Sequence, residues 1–126
     1  MEKKGSGRQK NKRRIGAQAE ACVRAYLEAQ GMEILEQNFY CRSGEIDLIG
    51  KDQGYLVFLE VKYRKSEKSG HPAEAVGYAK QKRICRAADY YRYIHRISEN
   101  IPVRYDVVTL MEQKISWYQN AFPHRY

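Results

Sequence analysis

The chain has little cysteine and no long apolar run. Its cysteines, Cys22, Cys41 and Cys85, are odd in number, lie far apart and form no C-x-x-C pair, so they predict neither a disulfide framework nor a zinc knuckle. The three histidines are equally scattered, which argues against a Cys/His zinc site. No apolar stretch approaches the roughly 20 residues that a membrane helix needs, and no signal-peptide apolar region follows the basic N-terminus. These absences predict a cytoplasmic chain without a membrane span.

Positive charge is distributed unevenly along the chain. The net charge is +8 over 126 residues, and residues 1–14 hold seven Lys or Arg and one Glu, a net of +6. Because Gly, Ser and like charges disfavour ordered structure, we expect a basic flexible tail at 1–14 and a single domain at 15–126. Such a tail could bind phosphates without reading sequence. A solubilising or expression-related leader explains it equally well, so charge alone only makes nucleic acid a plausible partner.

Periodic apolar residues predict two helices and five strands. The helices are expected at 15–30 and 72–96, where Pro72 suits the first helical turn. The strands are expected at 32–42, 44–50, 55–64, 103–110 and 115–122, with a hairpin turn at 51–54. The order α-β-β-β-α-β, followed by the short last strand, predicts an α/β fold with a mixed sheet flanked by helices. Its strand-helix-strand step should join parallel strands.

The predicted hairpin carries charged residues at even spacings. Glu45 and Asp47 share one face of the first strand, as Glu60 and Lys62 do on the second. If the turn centres in the middle of 51–54, Glu45 lies opposite Glu60, and Asp47 is the diagonal neighbour of Glu60. The continuous apolar run LVFL before Glu60 is typical of a strand covered on both faces. The acidic side chains therefore emerge beside the core.

Carboxylates crowded beside a core repel one another and lose hydration, and a divalent cation relieves both costs. Oxygen ligands without His or Cys favour Mg²⁺ or Mn²⁺. The alternative is an ion-paired structural cluster, in which Lys62 neutralises Glu60. Glu20 lies on the shoulder of the first helix's apolar stripe, where it could point toward the same region or be a solvated residue.

The second predicted helix carries a lysine within its apolar stripe. This residue, Lys80, could reach the acidic end of the sheet with Gln81 beside it, or extend past the edge of the core into solvent. The other basic residues predict a solvated or phosphate-facing surface: Lys82, Arg83, Arg86, Arg92 and Arg96. The neighbouring tyrosines Tyr90, Tyr91 and Tyr93 could stack on bases, although packing is the favoured interpretation for Tyr91.

These residues resemble a known nuclease signature. Asp47 followed by Glu60-Val61-Lys62 resembles the D…(E)-x-K motif of the PD-(D/E)xK nuclease superfamily, the restriction-endonuclease-like fold. Five stretches are similar to the uncharacterised bacterial endonuclease-like family often called YraN: GAQAEACVRAYLEAQGMEIL, GEIDLI, VFLEVKYR, AVGYAKQKRICRAA and RYDVV. The resemblance covers about residues 15–110.

The resemblance implies a metal-dependent endonuclease, acting on branched or otherwise non-standard DNA. Asp47 and Glu60, with the Val61 carbonyl, would bind Mg²⁺ or Mn²⁺, and Lys62 would assist the attacking water. Similarity to archaeal Holliday-junction resolvases adds Glu20 to the metal shell and implies a homodimer, since those enzymes act on two-fold symmetric junctions. Ile46 replaces the proline of the superfamily's name, and the part played by the extra acid Glu45 stays open. The alternative is a non-catalytic nucleic-acid-binding or scaffold module on a nuclease fold.

Overall fold

Two apolar clusters, one on each face, hold a single sheet between two helices. The computed structural model describes the backbone of residues 4–64 and 76–126 and the side chains of residues 16–64 and 76–126. The elements in chain order are α1 Lys4–Ala29, β1 Glu33–Cys41, β2 Gly44–Asp52, β3 Tyr55–Arg64, α2 Tyr78–Ile94, β4 Val103–Met111 and β5 Lys114–Tyr118. None of the helices in the described part of the chain is long and apolar enough to cross a membrane.

The sheet is mixed and has the order β1-β2-β3-β4-β5. Neighbouring strands are antiparallel except β3 and β4, which run parallel and are connected through α2. The predicted α/β class, the α-β-β-β-α-β order and the parallel crossover are therefore confirmed. The arrangement is consistent with a restriction-endonuclease-like core.

The central strand β3 is buried because a helix covers each face of it. Leu56 and Phe58 pack in the cluster under α2, whereas Val57 and Leu59 pack in the cluster under α1. All four are at most 2% exposed. Burial of such side chains contributes roughly 1.5–3 kcal/mol each, so the position of β3 is strongly fixed. The residue that follows this run, Glu60, is fixed with it.

Both helices differ from their predicted limits. Helix α1 begins at Lys4, so it includes residues 4–14 of the segment that we expected to be a flexible tail; the division into tail and domain stays a prediction. The predicted start of the second helix at Pro72 is wrong, because α2 begins at Tyr78. Gly77 precedes it with an extended backbone (φ −65°, ψ 163°). Pro72 itself lies outside the described residues.

The β2–β3 turn is a two-residue loop. Gln53 and Gly54 both have positive φ, 51° and 85°, which matches the tight hairpin turns whose twist suits the flanking strands. The strands therefore pair up to the Asp52–Tyr55 pair at the turn. The turn centre lies one residue later than the sequence suggested.

This turn corrects the predicted strand register. The last pair at the far end of the hairpin is Leu48 with Leu59, so the predicted pairing of Glu45 with Glu60 is wrong by two residues. Because the shift is even, Asp47 stays on the same face as Glu60. Asp47 and Glu60 each lie one residue beyond the last pair and therefore face each other across the end of the ladder.

Candidate active site

The buried part of β3 ends in a charged residue. Glu60 is only 4% exposed, and two lysines bind its carboxylate within the described residues. The Nζ atom of Lys62 lies 3.6 Å from Glu60 Oε2, and the Nζ atom of Lys80, from the first turn of α2, contacts the same oxygen. Since a carboxylate buried to this degree is costly unless it is paired, the lysines stabilise its charge. Both lysine side chains stay about one-third exposed, so a ligand can reach them.

Asp47 lies where the alternation of β2 breaks. Ile46 packs in the cluster under α2 and Leu48 in the cluster under α1, although residues two apart on a regular strand share a face. The facing position on β1 is Asn38, whose φ of 55° interrupts that strand at the same place. The Val61 N–H donates to Asp47 Oδ2 at 2.8 Å. This bond holds the carboxylate at the end of the β2–β3 ladder.

Burial raises the pKa of Asp47 from 3.8 to about 7, and the negative charge of Glu60 adds to the shift. The hydrogen bond from Val61 opposes the shift but does not cancel it. Burial lowers the pKa of Lys80, but its hydrogen bond and attraction to Glu60 outweigh burial and raise the pKa overall. Near neutral pH the site therefore holds a charged lysine on Glu60 and an Asp47 carboxyl that exchanges its proton.

Glu20 approaches this region from α1. Its half-buried side chain bonds Asn38 and Gln37 of β1. Burial raises the pKa of Glu20, these bonds lower it, and the charges of Glu45 and Glu60 raise it further. Glu20 thus lies within electrostatic reach of the acidic cluster, and its function as a metal ligand stays a prediction.

A cleft of about 260 Å³ separates the acidic end of the sheet from α2. It is lined by Gly44, Glu45, Asp47, Glu60, Lys80, Arg83 and Ile84. The β1–β2 turn approaches α2 at Gly44, whose φ of 156° is a backbone conformation that side-chain-bearing residues rarely adopt. A Cβ atom there would lie 3.4 Å from the Cβ atom of Arg83. The cleft therefore combines three carboxylates of the hairpin with two cations of the helix.

Gln81 and Tyr91 both lie outside the cleft. Gln81 is not in the cleft: its Nε2 donates to the Val76 carbonyl at 2.7 Å, and its Oε1 accepts from Arg125 Nε at 2.9 Å. Tyr91 is 5% exposed and packs edge-on against Phe39 and Phe58, so its interpretation as a core residue is confirmed.

Sequence reasoning missed Arg83 as a cleft residue, and grouped it with the surface of the second helix. The signal was its spacing, because a residue three positions after Lys80 lies on a neighbouring part of the same helical face. It also missed the contacts of Glu20 with β1, since helix and strand are brought together only by the fold.

A second buried ion cluster has a different character. Asp106 is fully buried, and it accepts hydrogen bonds from Arg104 Nε and Nη2 (both 2.9 Å), Trp117 Nε1 (2.8 Å) and the Asn120 N–H (2.8 Å). Arg104 Nη2 also donates to Asp52 Oδ2 at 3.0 Å. Because every charge here is satisfied inside the protein, this cluster is structural.

The donor chemistry of the cleft fits a hard divalent cation. No group of three His, Cys, Asp or Glu side chains in the described ranges is arranged to hold a metal ion. Mg²⁺, however, is commonly bound through one or two carboxylates and keeps several waters. Asp47 and Glu60 supply such a pair, and burial, followed by the charge of Glu60, raises the pKa of Asp47. The Val61 carbonyl and Glu20 as additional ligands stay predictions.

The fold and the cleft define an α/β protein with a carboxylate–lysine centre at the end of its central strand. The model of the uncharacterised protein family UPF0102 matches residues 19–110, and the chain belongs to this family. The matched region includes every residue of the cleft. The resemblance is thus confirmed at the level of the family, whereas the nuclease superfamily stays a proposal.

Similar proteins cover nearly the whole chain. A UPF0102 protein of Lachnoclostridium phytofermentans is 44% identical over 112 residues, 89% of this chain and 95% of the relative. A UPF0102 protein of Saccharophagus degradans is 41% identical over 107 residues, 85% of this chain and 91% of the relative. A third, from Thermodesulfovibrio yellowstonii, is 41% identical over 108 residues, 86% of this chain and 95% of the relative. These names state a family and no activity.

Proposed function

We propose that the chain is a Mg²⁺- or Mn²⁺-dependent endonuclease that hydrolyses phosphodiester bonds in branched or otherwise non-standard DNA. The observation that carries the proposal is the meeting of Asp47 and Glu60 at the end of a buried strand, in a cleft that Lys80 and Arg83 also line. Lys62 contacts Glu60 from the same strand. Carboxylates suit a cation, and the neighbouring cationic side chains suit a phosphate. A cleft with both can hold a metal and a phosphodiester together.

The proposed chemistry assigns a task to each side chain. Asp47 and Glu60 would hold the metal, which lowers the pKa of a bound water and neutralises phosphate charge. Lys62 orients the attacking water or stabilises the charge that develops on the phosphorane, a task suited to a fixed ammonium group. Lys80 and Arg83 attract the phosphate from the α2 side of the cleft.

A cleavage screen tests this function. Purified protein is incubated with Mn²⁺ or Mg²⁺ and with duplex, flap, fork, four-way-junction and single-stranded DNA. We expect at least one substrate to be nicked, and Asp47→Ala and Lys62→Ala to abolish nicking. Glu99→Ala, which removes an exposed acid outside the cleft, should leave it unchanged. Nicking that survives Asp47→Ala at the wild-type rate would refute the assignment.

A non-catalytic nucleic-acid-binding or scaffold module is the second candidate. It is favoured by the two lysines on Glu60, because they neutralise this carboxylate without any metal. Calorimetry with Mn²⁺ separates the candidates: measurable DNA affinity without any heat of metal binding favours the module. A homodimer, suited to a symmetric junction, belongs to the endonuclease proposal, and light scattering with and without a four-way junction tests it.

A further inference from the structure

One exposed face of α2 combines cations with aromatic rings. We call this face the α2 stripe; its members are Arg83, Arg86, Tyr90 and Tyr93. At about 100° per residue, these four residues fall within an arc of about 80° around the helix axis. All four are exposed, Tyr90 at 47% and Tyr93 at 80%. The apolar residues that anchor α2 on the sheet lie on the other side of the helix.

The groups of the α2 stripe are available to a ligand. Among the described residues, neither Arg83 nor Arg86 forms a salt bridge. The acid nearest to them on the helix, Asp89, instead approaches Arg92 at 3.9 Å and His124 at 3.5 Å. The α2 stripe therefore offers two cations without an internal counter-charge in the described part of the chain and two exposed rings, of which Tyr90 also contacts Phe39 with ring centroids 6.4 Å apart.

The α2 stripe is continuous with the candidate active site. Arg83 lines the cleft together with Asp47 and Glu60, and it is also the first residue of the stripe. From Arg83 to Tyr93 the helix rises about 15 Å. A ligand that follows the stripe toward the start of α2 therefore arrives at the carboxylates.

We propose that the α2 stripe binds a single-stranded segment of nucleic acid and guides it into the cleft. Guanidinium groups bind phosphates of any nucleic acid, whereas tyrosine rings stack on bases only where those bases are unpaired. Two guanidinium groups followed by two tyrosine rings along one face fit a single strand better than a duplex. The inference deepens the proposed function, because it names the part of a branched substrate that enters the site, and it rests on that function for the cleavage step only.

Binding measured without cleavage tests the inference. Fluorescence anisotropy of the full chain is recorded in EDTA with oligo(dT), oligo(U) and a DNA duplex of equal length, at several salt concentrations. Tyr90→Leu should weaken single-strand binding by at least about fivefold, the low end of the contribution of one stacked base, and leave duplex binding unchanged. Tyr90→Phe, which keeps the aromatic face, should restore it. An equal loss of affinity for oligo(dT) and oligo(U) would indicate that the stripe binds single-stranded DNA and RNA alike. A loss for only one of them would identify that nucleic acid as the ligand.

A charge variant and its matched control complete the test. Arg86→Ala should reduce the log–log salt slope for oligo(dT) by about 0.7, the value for one lost phosphate contact on a single strand. Lys51→Ala removes one exposed charge beside the β2–β3 turn, at the other end of the sheet, and should leave the slope unchanged. Wild-type affinity in Tyr90→Leu, or an equal effect of Lys51→Ala, would overturn the inference.

The two proposals can fail separately. Weak single-strand binding in the stripe variants, together with no nicking of any substrate by the wild type, would refute the endonuclease proposal and support the proposal that the α2 stripe binds single strands. Nicking that depends on Asp47, together with wild-type single-strand binding in the stripe variants, would support the endonuclease proposal and refute the proposal for the α2 stripe.

Discussion

The Asp47 carboxylate is expected to destabilise the folded protein near neutral pH. Its pKa is raised from 3.8 to about 7, first by burial and second by the charge of Glu60. The folded state therefore binds this proton more tightly than the unfolded chain does. Stability from this group is fully present below the unfolded pKa and decreases as the pH rises toward the folded pKa.

The structure sets the size of the effect. A shift of roughly 3 pKa units corresponds to about 4 kcal/mol at most, at about 1.4 kcal/mol per unit. Solvent reaches the half-buried carboxylate and screens its repulsion, so we expect about 1–3 kcal/mol. Asp47→Asn removes the charge and keeps an oxygen that can accept the Val61 N–H. We therefore expect this variant to be more stable than the wild type by that amount at about pH 8.

Urea denaturation across the acidic to mildly alkaline range measures the difference. The gain of Asp47→Asn should shrink as the pH falls from about 8 toward about 4. Over this range the folded wild type binds the Asp47 proton, and the advantage that the unfolded chain has from ionising Asp47 decreases toward its pKa of 3.8. The same variant should lose nicking activity, as expected when a destabilising group serves function. A variant that is less stable than the wild type at high pH, or equally more stable at every pH, would refute the reasoning.

Asp52→Asn is the matched control, with the opposite sign. Asp52 is also a hairpin aspartate and is 7% exposed, but its Oδ2 accepts a 3.0 Å bond from Arg104. Asp52→Asn keeps an acceptor oxygen but removes the charge that faces Arg104, so it should destabilise the protein by up to about 3 kcal/mol. Opposite signs for these two aspartates of one strand would attribute the effect to charge compensation, since removal from water alone predicts the same sign.

The remaining predictions concern the metal, the turn and the N-terminal segment. Mn²⁺ at about 100 times its Kd should stabilise the wild type by about 2.7 kcal/mol and leave Asp47→Asn unchanged in thermal unfolding; equal shifts would locate the metal elsewhere. Gly44→Ala should lower the melting temperature and the nicking rate, because a residue with a Cβ is strained at the φ of 156° that Gly44 adopts beside Arg83. Gly16→Ala, in α1 with open space around it, should instead stabilise by up to about 1 kcal/mol. Deleting residues 2–13 should reduce the log–log salt slope of duplex binding by about 0.9 per lost phosphate contact, and an unchanged slope would assign binding to the folded domain. Lys62→Ala should keep the affinity and remove cleavage.

The apolar pattern was sufficient to predict the central strand and the face of its charged residues. The run LVFL, bounded by turn residues, is typical of a strand covered on both sides, which predicted that Glu60 emerges at the end of the buried part of the strand. The register was less certain, because the segment KDQG is compatible with more than one turn position. The observed turn at Gln53-Gly54 moved the pairing by two residues, and the even shift preserved the shared face of Asp47 and Glu60.

Other features depend on contacts that no local pattern contains. The break in alternation at Asp47 coincides with the positive φ of Asn38 on the neighbouring strand, and neither residue type demands it. The start of α2 at Tyr78 depends on the extended backbone of Gly77, whereas Pro72 offered an equally good local signal. The buried cluster around Asp106 joins residues up to 52 positions apart, so only the folded sheet brings them together.

The two buried carboxylate clusters place different demands on the fold. Asp106 receives hydrogen bonds from an arginine, an indole and a backbone amide, and its charge strengthens the contacts between β4, β5 and the chain after them. In the cleft, both lysines approach Glu60, while the Asp47 carboxylate receives one backbone N–H within the described part of the chain. An asparagine at 47 would accept the same N–H without the repulsion from Glu60. Within the described residues, the charge of Asp47 attracts Lys80 but is repelled by Glu60. This poorly compensated carboxylate supports the proposed cation site, and the Mn²⁺ experiment on Asp47→Asn tests it.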